Sequence, residues 1–222
     1  NNPMAIYEMG PSAASIEYFM VNWMLEKVGW TKAPTDIGKL SQGDFGGGVL
    51  TNGGSLANLT ALIAARTHAI PDIWENGNPG NLAILAPESC HYSIKRAAGI
   101  LGMGHHSVYH MKTDKKGVVL PDALPGLVSE IRAEGKKIIA LVASACSTGF
   151  GLYDPLEEIG KFTNQENIWF HVDGAHGASA LISNTYKTLL KGVQRADSIS
   201  WDAHKLLRVP ALCAAVLFRN HT

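Results

Sequence analysis

Short runs of apolar residues alternate with longer amphipathic segments along most of this chain. The apolar runs, each about five residues long, predict strands over 82–86, 107–111, 137–143, 168–172, 196–201 and 212–218. The segments between them predict helices over 89–101, 121–134, 156–164 and 185–192. Continuous apolar strands separated by helices are typical of parallel strands buried on both faces. The pattern therefore predicts a three-layer αβα domain, an α/β fold with a mostly parallel sheet.

The N-terminal part of the chain predicts helices over 12–28 and 56–68. The apolar stripe of the first helix consists of Ile16, Phe19, Met20, Trp23 and Met24. The core-facing positions predicted for the second helix are Leu56, Leu59 and Ile63. Residues 31–48 and 71–81 predict loops, and residues 49–55 predict a strand end that turns tightly into the second helix.

Composition and charge indicate which kinds of partner and which compartment to expect for this protein. The 222 residues carry a formal net charge of zero, which gives no reason to expect nucleic acid or an anionic membrane as a partner. No apolar run approaches the roughly 20 residues of a membrane span. The three cysteines, Cys90, Cys146 and Cys213, follow no disulfide or metal spacing. They favour buried free thiols in a reducing compartment, and we expect a cytoplasmic protein.

Two polar residues follow neighbouring predicted strands. Lys205 follows the strand over 196–201, and Asp173 follows the strand over 168–172. Ligands in such sheets bind outside the carboxyl ends of the strands. A lysine can hold an aldehyde as an imine, and an aspartate can keep a pyridine nitrogen protonated. The pair predicts a pyridoxal phosphate site. The alternatives are that Lys205 is an ordinary surface lysine and that Asp173 caps the N-terminus of a helix.

We further expect Lys205 to lie in a buried part of the chain, because it is followed by Leu206 and Leu207. Burial favours the neutral amine that imine chemistry needs.

The turn Gly53-Gly54-Ser55 and the imidazole of His91 add to this candidate site. Helix N-terminal N–H groups bind anions, glycine permits close approach, and Ser55 adds a hydroxyl donor. A purely structural turn is the alternative, whereas the glycine spacing fits neither G-x-G-x-x-G nor a P-loop. His91 follows the strand over 82–86 and can stack on a planar cofactor, unless it is a cap or surface residue.

A metal site is a weaker alternative for the histidines near these strand ends. Its conceivable ligands are His171, Asp173, His176 and His204. His171 and Asp173 share a face of the strand, but His176 lies past the turn. The sequence therefore favours an organic cofactor over a metal.

Taken together, the motifs resemble those of the group II pyridoxal phosphate-dependent amino acid decarboxylases, which include glutamate, cysteine sulfinate and aromatic amino acid decarboxylases. The likeness extends from about residue 7 to residue 218. It rests on TNGGSLAN (51–58), CHYS (90–93), HVDGA (171–175) and AHK (203–205). The resemblance implies the large domain of a fold-type I enzyme that converts an L-amino acid to its amine and CO₂.

The resemblance also implies roles for individual residues. Lys205 is similar to the Schiff-base lysine, Asp173 to the aspartate that pairs with the pyridinium nitrogen, and His91 to the histidine stacked on the ring. Ala175 matches the small residue on the opposite ring face. The other cofactor-binding residues that it implies are Gly54, Ser55 and His204 on the phosphate side and Thr148 near the 3-hydroxyl group.

Some positions depart from the family's pattern. Asp202-Ala203 stands where the family commonly has Asn-Pro, and Cys146-Ser147-Thr148 stands where it commonly has Gly-Thr-Thr. The segment after Val172 likewise differs from the usual Asp-Ala-Ala. None of these changes removes a reacting group.

The segments CHYSI (90–94) and GVQRADS (192–198) look closest to the glutamate and cysteine sulfinate branch. We therefore expect an acidic substrate, namely glutamate, cysteine sulfinate or aspartate. An aromatic amino acid decarboxylase is the main alternative. Another fold-type I chemistry, such as an aldehyde-forming lyase or an aminotransferase, and a truncated, non-catalytic cofactor-binding domain are the others.

The resemblance carries two expectations about the assembly. Family members are longer at both ends, so residues 1–222 are expected to be the large cofactor-binding domain, without the family's N-terminal segment and small C-terminal domain. Family members also form homodimers with the active site at the subunit interface, and we expect a homodimer.

Overall fold

A seven-stranded sheet lies at the centre of the part of the chain that the structure, a computed structural model, describes: residues 7–36 and 43–220. Its strands are β1 (Gly47–Thr51), β2 (Leu82–Pro87), β3 (Val108–Met111), β4 (Lys137–Ser144), β5 (Trp169–Asp173), β6 (Ser198–Asp202) and β7 (Ala214–Phe218). Their order across the sheet is β1-β7-β6-β5-β4-β2-β3.

Most of the sheet is parallel, as the sequence pattern predicts. Strands β3, β2, β4, β5 and β6 pair in parallel, whereas β7 is antiparallel to both β6 and β1. A parallel connection needs a crossover of about a dozen residues or more, usually a helix. Residues 203–213, between β6 and β7, form turns and bends without a helix, so β7 returns antiparallel.

Helices cover both faces of this sheet and complete the predicted three layers. They are α1 (Pro11–Val28), α2 (Gly54–Ala69), α3 (Ile73–Asn76), α4 (Ser93–Ile100), α5 (Leu124–Ala133) and α6 (Leu156–Glu166). Successive side chains of a strand point to opposite faces. In β4, accordingly, Leu141 packs in the core shared with α1, α5 and α6, and Val142 packs in the core shared with α2 and α4. Among the described helices, none is both long and apolar enough to span a bilayer.

The predicted stripe of α1 is only partly the face that packs on the sheet. Ile16 and Phe19 are 63% and 68% exposed. The buried residues of α1 are Val21, Met24, Leu25 and Val28. The helix carries apolar residues on more than one face, and periodicity alone does not decide which face the sheet covers.

The helix α2 packs through smaller residues than predicted. Leu56 is 45% exposed rather than inward, and Leu59 and Ile63 are half-buried. The buried positions of α2 are Gly54, Ala57, Asn58, Ala61, Leu62 and Ala65. Small side chains allow a helix to lie close to its neighbours, so α2 rests tightly against the strands that carry the candidate site.

Other predicted boundaries also need correction. The helix predicted over 185–192 is absent, and short 3-10 turns occupy Lys187–Leu190 and Val193–Arg195 instead. A segment of that length is marginal as a helix, and Gly192 adopts a φ of +95° that ends it. The short helix α3 lies within the predicted loop 71–81, and α4 begins at Ser93 rather than at residue 89. The predicted loop 31–48 lies partly outside the described residues.

Candidate functional site

A cavity of about 260 Å³ opens at the carboxyl ends of β4, β5 and β6, beside the N-terminus of α2. Its walls include the last residues of these strands, Ser144, Asp173 and Asp202. Every site residue named from the sequence lines this cavity: Gly54, Ser55, His91, Thr148, Asp173, Ala175, His204 and Lys205. Tertiary structure thus gathers residues that are far apart in the chain.

A second cavity, of about 250 Å³, lies at the opposite ends of the strands, where it is lined by Trp169, Asp197 and Arg219 among others. It holds none of the predicted site residues. Asp197 there forms an ion pair with Arg219 and accepts a hydrogen bond from the backbone of Phe170. Asp197 and Arg219 therefore neutralise each other, and the predicted site residues all lie in the first cavity.

Asp173 is held rigidly at the end of β5. Its Oδ1 accepts hydrogen bonds from the Ala175 N–H and the Ser200 hydroxyl, each at 3.2 Å. Its Oδ2 accepts a hydrogen bond of 3.0 Å from the side-chain amide of Asn58. A carboxylate has about four acceptor positions, so Oδ2 retains capacity for one more donor.

Asn58 links Asp173 to two further side chains, and the sequence reasoning assigned it no role. Its Nδ2 also donates to Oγ of Ser93 at 2.9 Å, and its Oδ1 lies 3.0 Å from Nε2 of His171. The fully buried His171 reaches Ser198 through its other nitrogen at 2.9 Å. Burial lowers the pKa of His171 from 6.5 to about 4, although Asp173 opposes the shift. The sequence signal for this role was that Asn58 is a polar residue on the inward face of α2.

His91 lies just before α4 and contacts Tyr92 and Ser93. Its Nδ1 is 2.8 Å from Oγ of Ser93, and its ring is tilted by 41° against that of Tyr92, with 4.1 Å between the ring centroids. Burial is the main cause that lowers the pKa of His91, while the charge of Asp173 works against it. The neutral imidazole is therefore favoured, which suits stacking against an aromatic ring.

The turn before α2 has the geometry of an anion site. Gly53 adopts a φ of +110°, which favours glycine, and no side chain caps the N-terminus of α2. Gly54 leaves no room for a side chain, since a Cβ there would lie 2.7 Å from Oδ1 of Asp202 and 3.1 Å from Cβ of Ala175. Free N–H groups at a helix N-terminus, together with the Ser55 hydroxyl, can bind a phosphate.

Lys205 is not buried, contrary to the expectation from its sequence neighbours. Its side chain is 35% exposed, and Leu206 is 49% exposed. The reason is that residues 203–213 leave the sheet as a chain of turns instead of continuing into its core. The amine points back toward the cavity, where Nζ lies 3.0 Å from Oδ2 of Asp202.

Asp202 is the second residue that the sequence reasoning left without a role. It is 1% exposed, and its Oδ1 has no hydrogen-bond partner among the residues that the structure describes. Burial raises the pKa of this carboxyl, and the neighbouring amine of Lys205 pulls it back down. A buried acid beside the candidate anchor lysine is unusual enough to need its own account.

The remaining predicted residues occupy the rim and one wall. Nδ1 of His204 lies 2.7 Å from the carbonyl oxygen of Cys213, which orients its ring beside Asp202. Thr148 is exposed in a turn. Cys146 also lines the cavity, and burial raises the pKa of its thiol. The three free cysteines are half-buried rather than buried.

The histidine and acid residues named as a conceivable metal site do not converge. His171 is engaged by Asn58 and Ser198, and His204 is engaged by Cys213. Within residues 7–36 and 43–220, no group of three or more His, Cys, Asp or Glu side chains could hold a metal ion.

The donors and acceptors of the cavity fit pyridoxal phosphate. An acceptor with spare capacity, Asp173, suits a protonated ring nitrogen, and the open N-terminus of α2 suits a phosphate. A lysine amine, Lys205, is available for the aldehyde. The small Ala175 and the neutral ring of His91 also line the cavity, and both can pack against a flat ring.

Comparison with known proteins agrees with this fit. The family model described as the pyridoxal-dependent decarboxylase conserved domain matches residues 1–222. The acidic amino acid decarboxylase GADL1 of Xenopus tropicalis is 34% identical over 100% of this chain and 41% of its own length. The cysteine sulfinic acid decarboxylase of Rattus norvegicus is 35% identical over 99% of this chain and 42% of its own length. The chain thus spans less than half the length of these relatives.

Solved structures show the same fold. The crystal structure of mouse CSAD in apo form has a TM-score of 0.91 and 35% identity, covering 100% of this chain and 44% of that chain. The glutamate decarboxylase domain of a diaminobutyrate-pyruvate transaminase and L-2,4-diaminobutyrate decarboxylase from Vibrio parahaemolyticus has a TM-score of 0.89 and 29% identity. It covers 99% of this chain and 47% of that chain.

Proposed function

We propose that this chain, which belongs to the family of pyridoxal-dependent decarboxylases, binds pyridoxal 5'-phosphate and, within the full-length protein, converts an acidic L-amino acid to its amine and CO₂. One observation carries the proposal. The amine of Lys205, the carboxylate of Asp173 and the open N-terminus of α2 line a single cavity of about 260 Å³. When bound, pyridoxal phosphate supplies a carbonyl that condenses with amines and a ring that accepts the electron pair released as CO₂ leaves.

Lys205 and Asp173 carry the reacting positions in this proposal. The Nζ of Lys205 is the nucleophile that anchors the cofactor through its carbonyl carbon and later displaces the product amine. The Oδ2 of Asp173 holds a proton at the ring nitrogen, because it accepts only the Asn58 amide and has room for a charged N–H donor. A protonated ring is the stronger electron acceptor.

The other predicted residues position the cofactor. His91 and Ala175 take opposite faces of the ring, and the neutral state of His91 avoids placing a second cation against a protonated ring. The N–H groups of Gly54 and Ser55, with His204, bind the phosphate. Thr148, at the rim, lies on the side of the 3-hydroxyl group.

The preference for an acidic substrate is supported by the similarity to the acidic amino acid and cysteine sulfinic acid decarboxylases. Of the described residues that line the cavity, Lys205 is the one lysine or arginine, and it is committed to the cofactor. The cation that recognises the substrate's side-chain acid therefore comes from outside these residues. An aromatic amino acid remains the alternative substrate, as an outcome of the test below.

A homodimer is the proposed assembly. Helix α1, the adjacent sheet edge and the segment after β6 expose several large apolar side chains, and exposed apolar patches often mark protein–protein interfaces. Those most exposed are Ile16 and Phe19 of α1, Val49 and Leu50 of β1, and Leu206 and Leu212 of the segment after β6. Because Leu212 also lines the cavity, a second copy on this surface would lie at the mouth of the site.

Residues 1–222 form the large cofactor-binding domain in this proposal, and the protein works in the cytoplasm. The domain assignment is supported by the sheet and the cavity, which the described part of this chain completes from its own strands. The cytoplasmic assignment is supported by the three cysteines, which are all free thiols.

The experiment has a binding arm and a turnover arm. Purified full-length protein is mixed with pyridoxal phosphate, its visible absorbance is recorded, and borohydride reduction followed by peptide mass spectrometry locates the attached cofactor. CO₂ release is then measured for glutamate, aspartate, cysteine sulfinate and a panel of aromatic amino acids. We expect attachment to Lys205 and release from an acidic amino acid, with both lost in Lys205→Ala.

The outcomes separate the rival functions. Release from aromatic amino acids alone would transfer the assignment to an aromatic amino acid decarboxylase. A keto acid or aldehyde product would indicate a different fold-type I chemistry. Attachment without turnover on any substrate would indicate a non-catalytic cofactor-binding domain, and no attachment to Lys205 would refute the proposal.

A further inference from the structure

A carboxylate without a cofactor-binding role lies directly against the proposed anchor lysine. Asp202 ends β6 and is 1% exposed, with Oδ2 at 3.0 Å from Nζ of Lys205. Its Oδ1 is buried and finds no hydrogen-bond partner within residues 7–36 and 43–220. Burying a carboxylate with incomplete partners costs stability. Such a residue is more readily explained by its use at the site than by a contribution to the fold.

The surroundings of Asp202 favour a group that can gain and lose a proton. The charged or titratable side chains that face it are Lys205, His204, Asp173 and His91. On α2, the neighbour of Asp202 is Gly54, which has no charged side chain. On β7, the residue paired with Asp202 is Ala214, which has none either. Burial is the largest cause that raises the pKa of Asp202, and the charge of Asp173 adds to it.

We propose that Asp202 holds the proton of the Lys205 amine, so that the pair is carboxylate and ammonium before the cofactor arrives and carboxylic acid and neutral amine when Lys205 reacts. The inference rests on the proposed function of Lys205. In this step an N–H bond of Lys205 breaks and an O–H bond forms on Oδ2 of Asp202. The freed lone pair attacks the carbonyl carbon of the cofactor, and the condensation releases one water.

The geometry supports a direct transfer. The two heavy atoms are at hydrogen-bond distance, 3.0 Å, so no intervening group is needed. Asp202 is also a group that can take a proton, whereas an asparagine side chain can accept a hydrogen bond from an ammonium but cannot take its proton. Asp202→Asn therefore removes the proton acceptor beside Lys205 and keeps a hydrogen-bond acceptor there.

The test measures the lysine itself, in full-length protein freed of cofactor. Trace acetic anhydride acetylates amines only in their neutral form, and peptide mass spectrometry follows Lys205 across the pH range in which lysines titrate. In Asp202→Asn, where the ammonium form of Lys205 has lost its carboxylate partner, we expect about tenfold more acetylation of Lys205 at neutral pH than in the wild type. The exposed Lys115 serves as the reference in every sample.

Asp197→Asn is the matched control. Asp197 is a mostly buried acid that comes immediately before β6, at the opposite end of the strand from Asp202, and it lines the other cavity. The Asp197→Asn variant should leave the pH profile of Lys205 acetylation unchanged. Asp202→Ser is a second neutral variant, and circular dichroism selects whichever Asp202 variant keeps the wild-type fold.

The two proposals fail in different ways. If the Lys205 profiles of the wild type and a folded Asp202 variant coincide, the proton-holding role is refuted, while trapping of pyridoxal phosphate on Lys205 leaves the proposed function intact. If pyridoxal phosphate is not trapped on Lys205 in the wild type, the proposed function fails whatever the acetylation shows. A shift in Asp197→Asn equal to that in the Asp202 variant would also refute the role.

Discussion

The side-chain amide of Asn58 donates a 3.0 Å hydrogen bond to Oδ2 of Asp173, so that α2 fixes the acid at the end of β5. The same helix presents its N-terminal N–H groups to the proposed phosphate position at Gly54 and Ser55. The two ends of the proposed cofactor are therefore positioned by one rigid element. A displacement of α2 would disturb both ends together.

Replacing Asn58 should destabilise the protein and weaken the site. Asn58→Ala leaves Oδ2 of Asp173 and Nε2 of His171 without their partner in a buried environment. An unsatisfied buried polar group costs about 1–3 kcal/mol, so the free energy of unfolding should fall by at least that amount. Urea denaturation measures the loss, and absorbance titration measures the expected weaker affinity for pyridoxal phosphate.

Asn76→Ala is the control for this change. Asn76 is exposed and bonds only to Asp72 among the side chains, at 2.7 Å. Exposed substitutions usually change stability by within about 0.5 kcal/mol. Equal losses in the two variants would contradict the special role of Asn58.

A side chain at Gly54 should be poorly tolerated. In Gly54→Ala the new Cβ would meet both carboxylate oxygens of Asp202, at 2.7 and 2.8 Å. Overpacking of this kind costs about 1–3 kcal/mol, and it would move the first turn of α2 away from the phosphate. We expect a lower midpoint of thermal unfolding and a weaker affinity for pyridoxal phosphate.

Gly126→Ala gives the matched comparison, because a Cβ on Gly126 in α5 meets nothing within 4 Å. Within a helix, alanine is favoured over glycine by about 0.5–1 kcal/mol. This variant should be as stable as the wild type or more so. The prediction for Gly54 is wrong if both variants unfold alike.

Acid should destabilise the fold through His171. Burial lowers its pKa from 6.5 to about 4, so the unfolded chain binds a proton before the folded protein does. Stability is therefore lost as the pH falls from 6.5 to about 4, and the loss levels off below that pH. The shift corresponds to about 3 kcal/mol.

The measurement compares urea denaturation over this pH range in the wild type and in His171→Gln, whose polar side chain does not titrate. Burial raises the pKa of Asp154, Asp197 and Asp202 in both proteins, so their opposite contributions cancel in the difference. The difference between the two proteins should shrink toward low pH. A constant difference would contradict the assignment.

Removal of one exposed aromatic ring should weaken the proposed dimer. Phe19 is 68% exposed on α1, and burial of such a side chain contributes about 1.5–3 kcal/mol. In sedimentation experiments, Phe19→Ser should raise the dimer dissociation constant by at least about tenfold. Ile100→Ser, at a 63% exposed position on α4, should leave it unchanged. If Ile100→Ser raises the dimer dissociation constant and Phe19→Ser does not, the interface lies elsewhere.

Local patterns foretold much of the fold, and they failed where a choice between faces was needed. The strands predicted over 82–86 and 168–172 match β2 and β5 to within one residue, because continuous apolar runs have few other uses. Of the stripe predicted for α1, Met24 is buried but Ile16 and Phe19 are exposed, and the inward placement of Leu56 was wrong. Those positions depend on which surface a helix meets, and a single helix does not contain that information.

The site shows the same division. Lys205 and Asp173 could be proposed as site residues from the sequence, because a lysine and an aspartate close to the ends of neighbouring apolar strands suit the chemistry of an aldehyde cofactor. Asn58 was not, because an asparagine on a helix gains meaning only from the His171 and Asp173 side chains beside it. Asp202 was noted only as a departure from the family, and its contact with Lys205 required the backbone turn between them.

The sequence by itself determined most of the strands and helices in their order along the chain, and it identified the residues that carry the proposed chemistry. The elements follow from local periodicity, the candidate residues follow from their types near strand ends, and the family follows from the motifs that resemble it. Only the tertiary structure decided that Lys205 is partly exposed and paired with Asp202, that Asn58 fixes Asp173, and that Ile16 and Phe19 of α1 remain exposed. Those are contacts and burials between distant segments, and they exist only once the sheet has brought the segments together.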